Sequence, residues 1–194
     1  MSRLRVLLAA AVATTLLAAC GDGTGSNGEI VVQEDTLALF PINGTPHPAN
    51  PVGISVITAS TSALTSDFLF DVAFDLDAQN RVVVYPVRLV AGNIVQNTVG
   101  ISQAAVQRVP GNWSSVTRAP SSGYRSDSAL VLAIGEVVAI QVPTQACIYA
   151  LRGVNVYGKF VVDSVLPASR QIFGRMVANQ NCGYRSLVPG IPKD

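Results

Sequence analysis

Downstream of Cys20 the chain carries 37 valines and isoleucines against 11 leucines. β-Branched side chains lose rotamer freedom in a helix and pack well on a pleated surface, so this bias limits the fold more than any other feature. The order of residues agrees with it. Over residues 68–76, Phe68, Phe70, Val72, Phe74 and Leu76 alternate with Asp71, Ala73 and Asp75, the period of a strand with one wet face. Residues 77–80 read as a turn and residues 81–90 as the return strand. Pro86 confines that strand to an edge or a bulge, because proline cannot donate to a ladder. A second hairpin is expected from residues 159–165 and 170–178, and a third from residues 128–134 and 137–142 around Gly135 and Glu136. Residues 30–40, 52–58 and 154–157 are further strand candidates, and only residues 101–109 have a helical option. Pro41 to Pro51 and Gly111 to Arg125 read as surface loops. Turn signals recur with no long helix between them, which predicts an all-β fold, an antiparallel β-sandwich or barrel of about 8–10 strands.

The first residues have a different chemistry. Arg3 and Arg5 make a short positive head, residues 6–17 are apolar apart from Thr14 and Thr15, and Ala18, Ala19 and Cys20 follow. That is the layout of a secretory signal, and its apolar run is shorter than the ~20 residues a membrane span needs. Leu17-Ala18-Ala19-Cys20 resembles the lipobox of bacterial lipoprotein precursors. The resemblance implies cleavage before Cys20 and acylation of its sulfur and its new amine. The protein would then be fixed to membrane lipid through Cys20. Each buried CH₂ adds about 0.8 kcal/mol, and more than one acyl chain is needed for stable anchoring. Gly21 follows the cysteine and Asp22 comes one later, which by the enteric sorting rule favours the outer membrane over the inner. The ending 183–192 and the core hairpins also resemble uncharacterised bacterial lipoproteins, a likeness that carries no function.

Three segments follow: a lipoprotein signal peptide over 1–19, the lipidated cysteine with a Gly-rich tether over 20–29, and a single β domain over 30–194. A tether of that length has a reach of roughly 15–18 Å. Loss of Arg3 and Arg5 leaves 11 basic against 12 acidic residues, so the formal charge changes from +1 to −1. Neither charge nor any basic run supplies a stripe for nucleic acid, and no nucleic-acid partner is expected. With Cys20 taken by lipid, Cys147 and Cys182 are an even pair, read in an exported protein as a disulfide, with two separate buried thiols as the alternative.

The catalytic inventory is sparse. His47, the only histidine, lies between Pro46 and Pro48, and reads as an exposed loop residue before it reads as the base of a triad. The sequence holds no nucleophile elbow, zinc-protease helix, phosphate loop or dinucleotide fingerprint. Asp71, Asp75 and Asp77 share a strand face that runs into a turn. A solvated face linked to Arg81 and Arg88 comes first; a calcium site or a catalytic carboxylate pair are the weaker alternatives. Gly-Tyr-Arg-Ser occurs at 123–126 and again at 183–186. Trp113, Tyr124, Arg125, Tyr184 and Arg185 are therefore candidates for a patch that stacks on and hydrogen-bonds a partner. No cofactor and no metal are called for. The expectation is a lipid-anchored envelope protein with a binding or structural role toward an envelope protein or glycan. The alternative is a hydrolase acting on envelope polymers through carboxylates.

Overall fold

The computed structural model describes residues 28–44, 49–65, 67–92 and 100–193. Ten strands form among them, in two antiparallel five-stranded sheets. The first sheet has the order β1-β10-β9-β8-β6, with β1 Gln33–Leu39, β6 Ala105–Val109, β8 Val137–Pro143, β9 Asn155–Leu166 and β10 Gln171–Asn179. The second has the order β3-β2-β4-β5-β7, with β2 Pro51–Ser55, β3 Ser60–Ala63, β4 Val72–Leu76, β5 Val82–Pro86 and β7 Leu130–Leu132. The fold is all-β, as the β-branched composition predicts, and of the two expected architectures it is the sandwich.

Both sheets contribute to one core. Leu39, Ile140, Phe160, Ile172 and Met176 of the first sheet meet Ile54, Val72, Phe74, Val84 and Leu132 of the second. At its centre the rings of Phe74 and Phe160 lie 4.6 Å apart, tilted by 51°. Such a pair contributes beyond the area it buries. The β9–β10 register shifts between Phe173 and Gly174, where Asp163 of β9 is the extra residue, and Gly174 is there for space: a Cβ would stand 2.3 Å from the Val161 carbonyl and 2.5 Å from the Phe160 ring. The 159–178 hairpin forms as expected, and the separate candidate at 154–157 proves to be the first part of the same twelve-residue β9.

Four expectations are corrected. Residues 68–76 do not make one strand with a wet face: β4 begins at Val72 and all five of its residues are buried. Its second face is occupied, since Ile42, Phe68, Phe70 and Val87 cluster with Ala73. The return strand stops at Pro86, and Val87–Ala91 form a short helix, α1. Val87, Val90 and Ala91, at helical spacing, are its buried side, a period hidden inside an apolar run. Residues 128–142 are not a hairpin either. β7 pairs with β5 and β8 with β6 and β9, so the turn at Gly135 (φ +84°) carries the chain from one sheet to the other. The Gly135 N–H donates to Val162 O at 2.8 Å, which aims the chain into the first sheet. Finally, the helical option at 101–109 gives way to β6, paired with β8 over Ala105–Val109. β3, Ser-Thr-Ser-Ala, has no apolar period and is held by its ladder to β2.

Cys147 and Cys182 are joined, with their Cα atoms 5.4 Å apart and a sequence separation of 35. The bond ties the 3₁₀ turn after β8 (Gln145–Cys147) to the end of β10, across the start of β9. Closing a loop of that length is worth about 4 kcal/mol in the chain-entropy model. Replacing both cysteines by alanine is expected to lower the free energy of unfolding by about 2–4 kcal/mol, read as a lower urea midpoint.

Candidate functional site

The main concavity lies at the end of the sandwich where β2 and β8 finish and β4, β6 and β9 start. It is an open groove of about 1260 Å³. Ser55, Thr58, Ser60, Ser62 and Ser102 give it a hydroxyl-rich floor, while Phe68, Phe70, Ile101, Ile148 and Val154 give it apolar walls. Asp71 lies in that floor, buried at 2% exposure. Its Oδ2 accepts from the Val56 N–H at 2.7 Å, from Ser55 Oγ at 3.1 Å and from the Ile57 N–H at 3.4 Å. Its Oδ1 accepts from Ser102 Oγ at 2.7 Å. The Asp71 backbone donates to Ile54 O at 2.8 Å and accepts from the Val87 N–H at 2.9 Å. One residue thus joins the end of β2, the start of β4, the start of α1 and the segment before β6.

Phe68, on the groove wall, has φ +46°. Ala59, Asn80 and Arg170 also have positive φ, but each sits in a tight turn between paired strands. Phe68 precedes a strand and is bulky, so its left-handed backbone carries a real cost, of order 1–3 kcal/mol. Its ring is held edge-on to Phe70, centroids 6.2 Å apart.

The three aspartates do not converge. Asp75 is buried at 4% exposure, accepts from Asn43 Nδ2 and from its neighbour's N–H at Leu76, and lies 3.7 Å from Arg170. Asp77 belongs to the β4–β5 turn and binds Arg81 Nε at 2.7 Å. Desolvation works against the Asp77 carboxylate, but hydrogen bonds from Arg81 and the Gln79 N–H outweigh it and hold its pKa below the usual value. A single solvated acidic face is therefore corrected: Asp71 and Asp75 are buried, each among its own partners. Arg81 does pair with Asp77, whereas Arg88 has left the strand for α1. Among the described residues no group of three or more His, Cys, Asp or Glu is placed to hold a metal. His47 lies outside the described residues, as does Cys20.

The aromatic and arginine candidates separate. Trp113 and Tyr124 pack with Val116, Ala119, Tyr157, Val161 and Leu187 on the outer face of the first sheet. Tyr184 is buried, with the Arg152 guanidinium 4.4 Å from its ring, and so does not belong to an exposed patch. Arg125 is exposed and paired with Asp127, and Arg185 Nη1 reaches Ala119 O at 3.5 Å. The repeated Gly-Tyr-Arg-Ser segments share a glycine with positive φ, Gly123 and Gly183, and little else. The two loops do meet: Ala119 N donates to Arg185 O and Leu187 N to Thr117 O, both at 2.8 Å.

What the sequence missed under Trp113 is Lys159. Its ammonium is 4.1 Å from the Trp113 ring centroid and donates to Trp113 O and Val116 O, each at 2.8 Å. Arg175 lies on the same ring at 5.0 Å and binds Asp163 bidentately at 2.8 and 2.9 Å. A lysine inside an apolar strand, in a chain with only two lysines, was the available signal. Burial pushes the Lys159 pKa below the ordinary lysine value; Glu34 counters this and Arg175 adds to it. Burial, with the nearby Tyr157, pushes the Tyr124 phenol far above its usual range.

Comparison with protein-family models, with curated proteins and with solved structures finds no match to this chain.

Two outcomes are expected. Asp71→Ala leaves the Val56 N–H and two hydroxyls without their acceptor, and should cost about 3 kcal/mol or more, against about 1 kcal/mol for Ser102→Ala, by urea unfolding. For Lys159, the unfolded chain holds the extra proton between the lowered folded pKa and the unfolded value of about 10.4. Stability relative to Lys159→Met should therefore rise with pH across that alkaline window, which urea midpoints measured at stepped pH will show.

Proposed function

We propose that this chain is a lipid-anchored cell-envelope protein, delivered preferentially to the outer membrane, whose sandwich binds a ligand or partner in the groove beside Asp71. The groove carries the binding half of this reading. It combines hydroxyls with apolar walls, and its one buried carboxylate already accepts from four donors. A carboxyl group with both oxygens so engaged ties its neighbouring segments together. The hydrolase alternative draws no support from the geometry, because Asp75 and Asp77 are engaged elsewhere. The anchoring half rests on Arg3, Arg5, the apolar run and Leu17-Ala18-Ala19-Cys20. The Cys147–Cys182 bond supports export, since disulfides persist in oxidising compartments.

Cells grown with a clickable palmitate analogue should label the wild-type protein and not Cys20→Ala; labelling that persists in Cys20→Ala overturns the anchor. The groove is tested by Ser60→Trp, which fills it from the edge strand β3. Wild-type protein drawn from detergent-solubilised envelope should carry a ligand or partner that Ser60→Trp has lost at an unchanged melting temperature. Equal recovery by both, or none by either, overturns binding at this groove.

A further inference from the structure

Most of the exposed large apolar side chains of the described residues gather at one end of the sandwich. Ile30, Ile57, Leu69, Ile148, Tyr149 and Leu151 all belong to segments at the groove end of the sandwich, and Leu69 (64%) and Tyr149 (94%) are among the most exposed. Hydrogen bonds and the disulfide draw these segments together. Asn181 Oδ1 accepts from the Glu29 and Ile30 N–H groups, both at 2.8 Å, and Asn181 Nδ2 donates to Ile30 O at 2.7 Å. The next residue, Cys182, is bonded to Cys147, from which Ile148, Tyr149 and Leu151 follow. Gln180 Nε2 donates to Ile57 O at 2.6 Å. The opposite end exposes Ile134 and Leu166 and carries the Asp77–Arg81 and Arg108–Glu136 ion pairs.

The described chain also begins at this end. Gly28 N donates to Pro192 O at 3.0 Å, beside the Glu29–Asn181 bonds, and eight positions in sequence separate Gly28 from Cys20. Eight residues span at most about 26–29 Å even when fully extended. Acyl chains on Cys20 would therefore hold this end nearest the lipid. Apolar side chains gathered on one surface mark a contact with a partner or a membrane, and tyrosine suits the level of the headgroups.

Building on the anchor proposed above, we infer that the groove end is a membrane-docking face. Ile148, Tyr149, Leu151 and Leu69 enter the headgroup–acyl boundary, the sheets stand away from the bilayer, and the mouth of the groove opens toward lipid. The occupant is a lipid surface, because the eight positions that separate Cys20 from Gly28 end beside these side chains.

The test uses the full acylated protein in phosphatidylcholine–phosphatidylglycerol vesicles containing brominated lipid. Trp113, the only native tryptophan, gives a constant background on the outer face of the first sheet. A tryptophan added by Tyr149→Trp should be quenched and blue-shifted, and one added by Ile134→Trp should not. Leu69→Asp with Leu151→Asp, in the Tyr149→Trp background, should reduce that quenching by about tenfold while acyl labelling is retained. Acylated protein in which Tyr149→Trp is quenched no more than Ile134→Trp overturns the docking face alone. A dimer sealed through Tyr149 and Leu151, without quenching, overturns it in favour of a second copy as the occupant. Absence of acyl labelling overturns the anchor itself, whatever the quenching shows.

Discussion

A single buried carboxylate organises one end of this sandwich. Asp71 joins the turn after β2, the start of β4, the first N–H of α1 and the segment leading to β6. Those connections are short and irregular, and irregular backbone leaves N–H groups that must find acceptors when buried. The two oxygens of one carboxyl group satisfy several at once. The groove is shaped as it is because its floor is the underside of this network. Its walls are side chains, Phe68 and Phe70 among them, that the network holds at fixed positions.

The two sheets solve their outer faces differently. In the second, Ile42, Phe68, Phe70 and α1 bury the side of β4 that faces away from the main core. In the first, the loop from 111 to 125 and the C-terminal segment lie across β8 and β9, and Leu187 and Val116 seal against Tyr157 and Val161. Lys159 beneath Trp113 fits that arrangement. Its stem packs among apolar neighbours while its ammonium satisfies two loop carbonyls, so a charge at this position fastens a loop to a sheet.

Much of the fold was legible in the sequence and the site was legible only in part. The β class, the β9–β10 hairpin and the Cys147–Cys182 pair follow from residue type, turn chemistry and parity. The third hairpin failed at Gly135 because local pattern cannot tell a turn within a sheet from one between sheets: both need the same positive φ. The wet face of β4 failed because alternation reports which side faces the core, not whether a loop covers the other side. Asp71 drew notice as one of three like charges, yet its role depends on Ser55 and Ser102, the latter 31 residues away. Spacing along the chain carries no trace of such a partnership.

β1 and β10 are hydrogen-bonded neighbours, with Gln33 opposite Ala178. The first strand of the sandwich thus waits for the last, and the sheet cannot close while any part of the intervening chain is missing. Pairings this distant in sequence are slow to form. The same dependence makes β10 a checkpoint, since a chain that lacks Gln171–Asn179 leaves β1 an unpaired edge open to other chains.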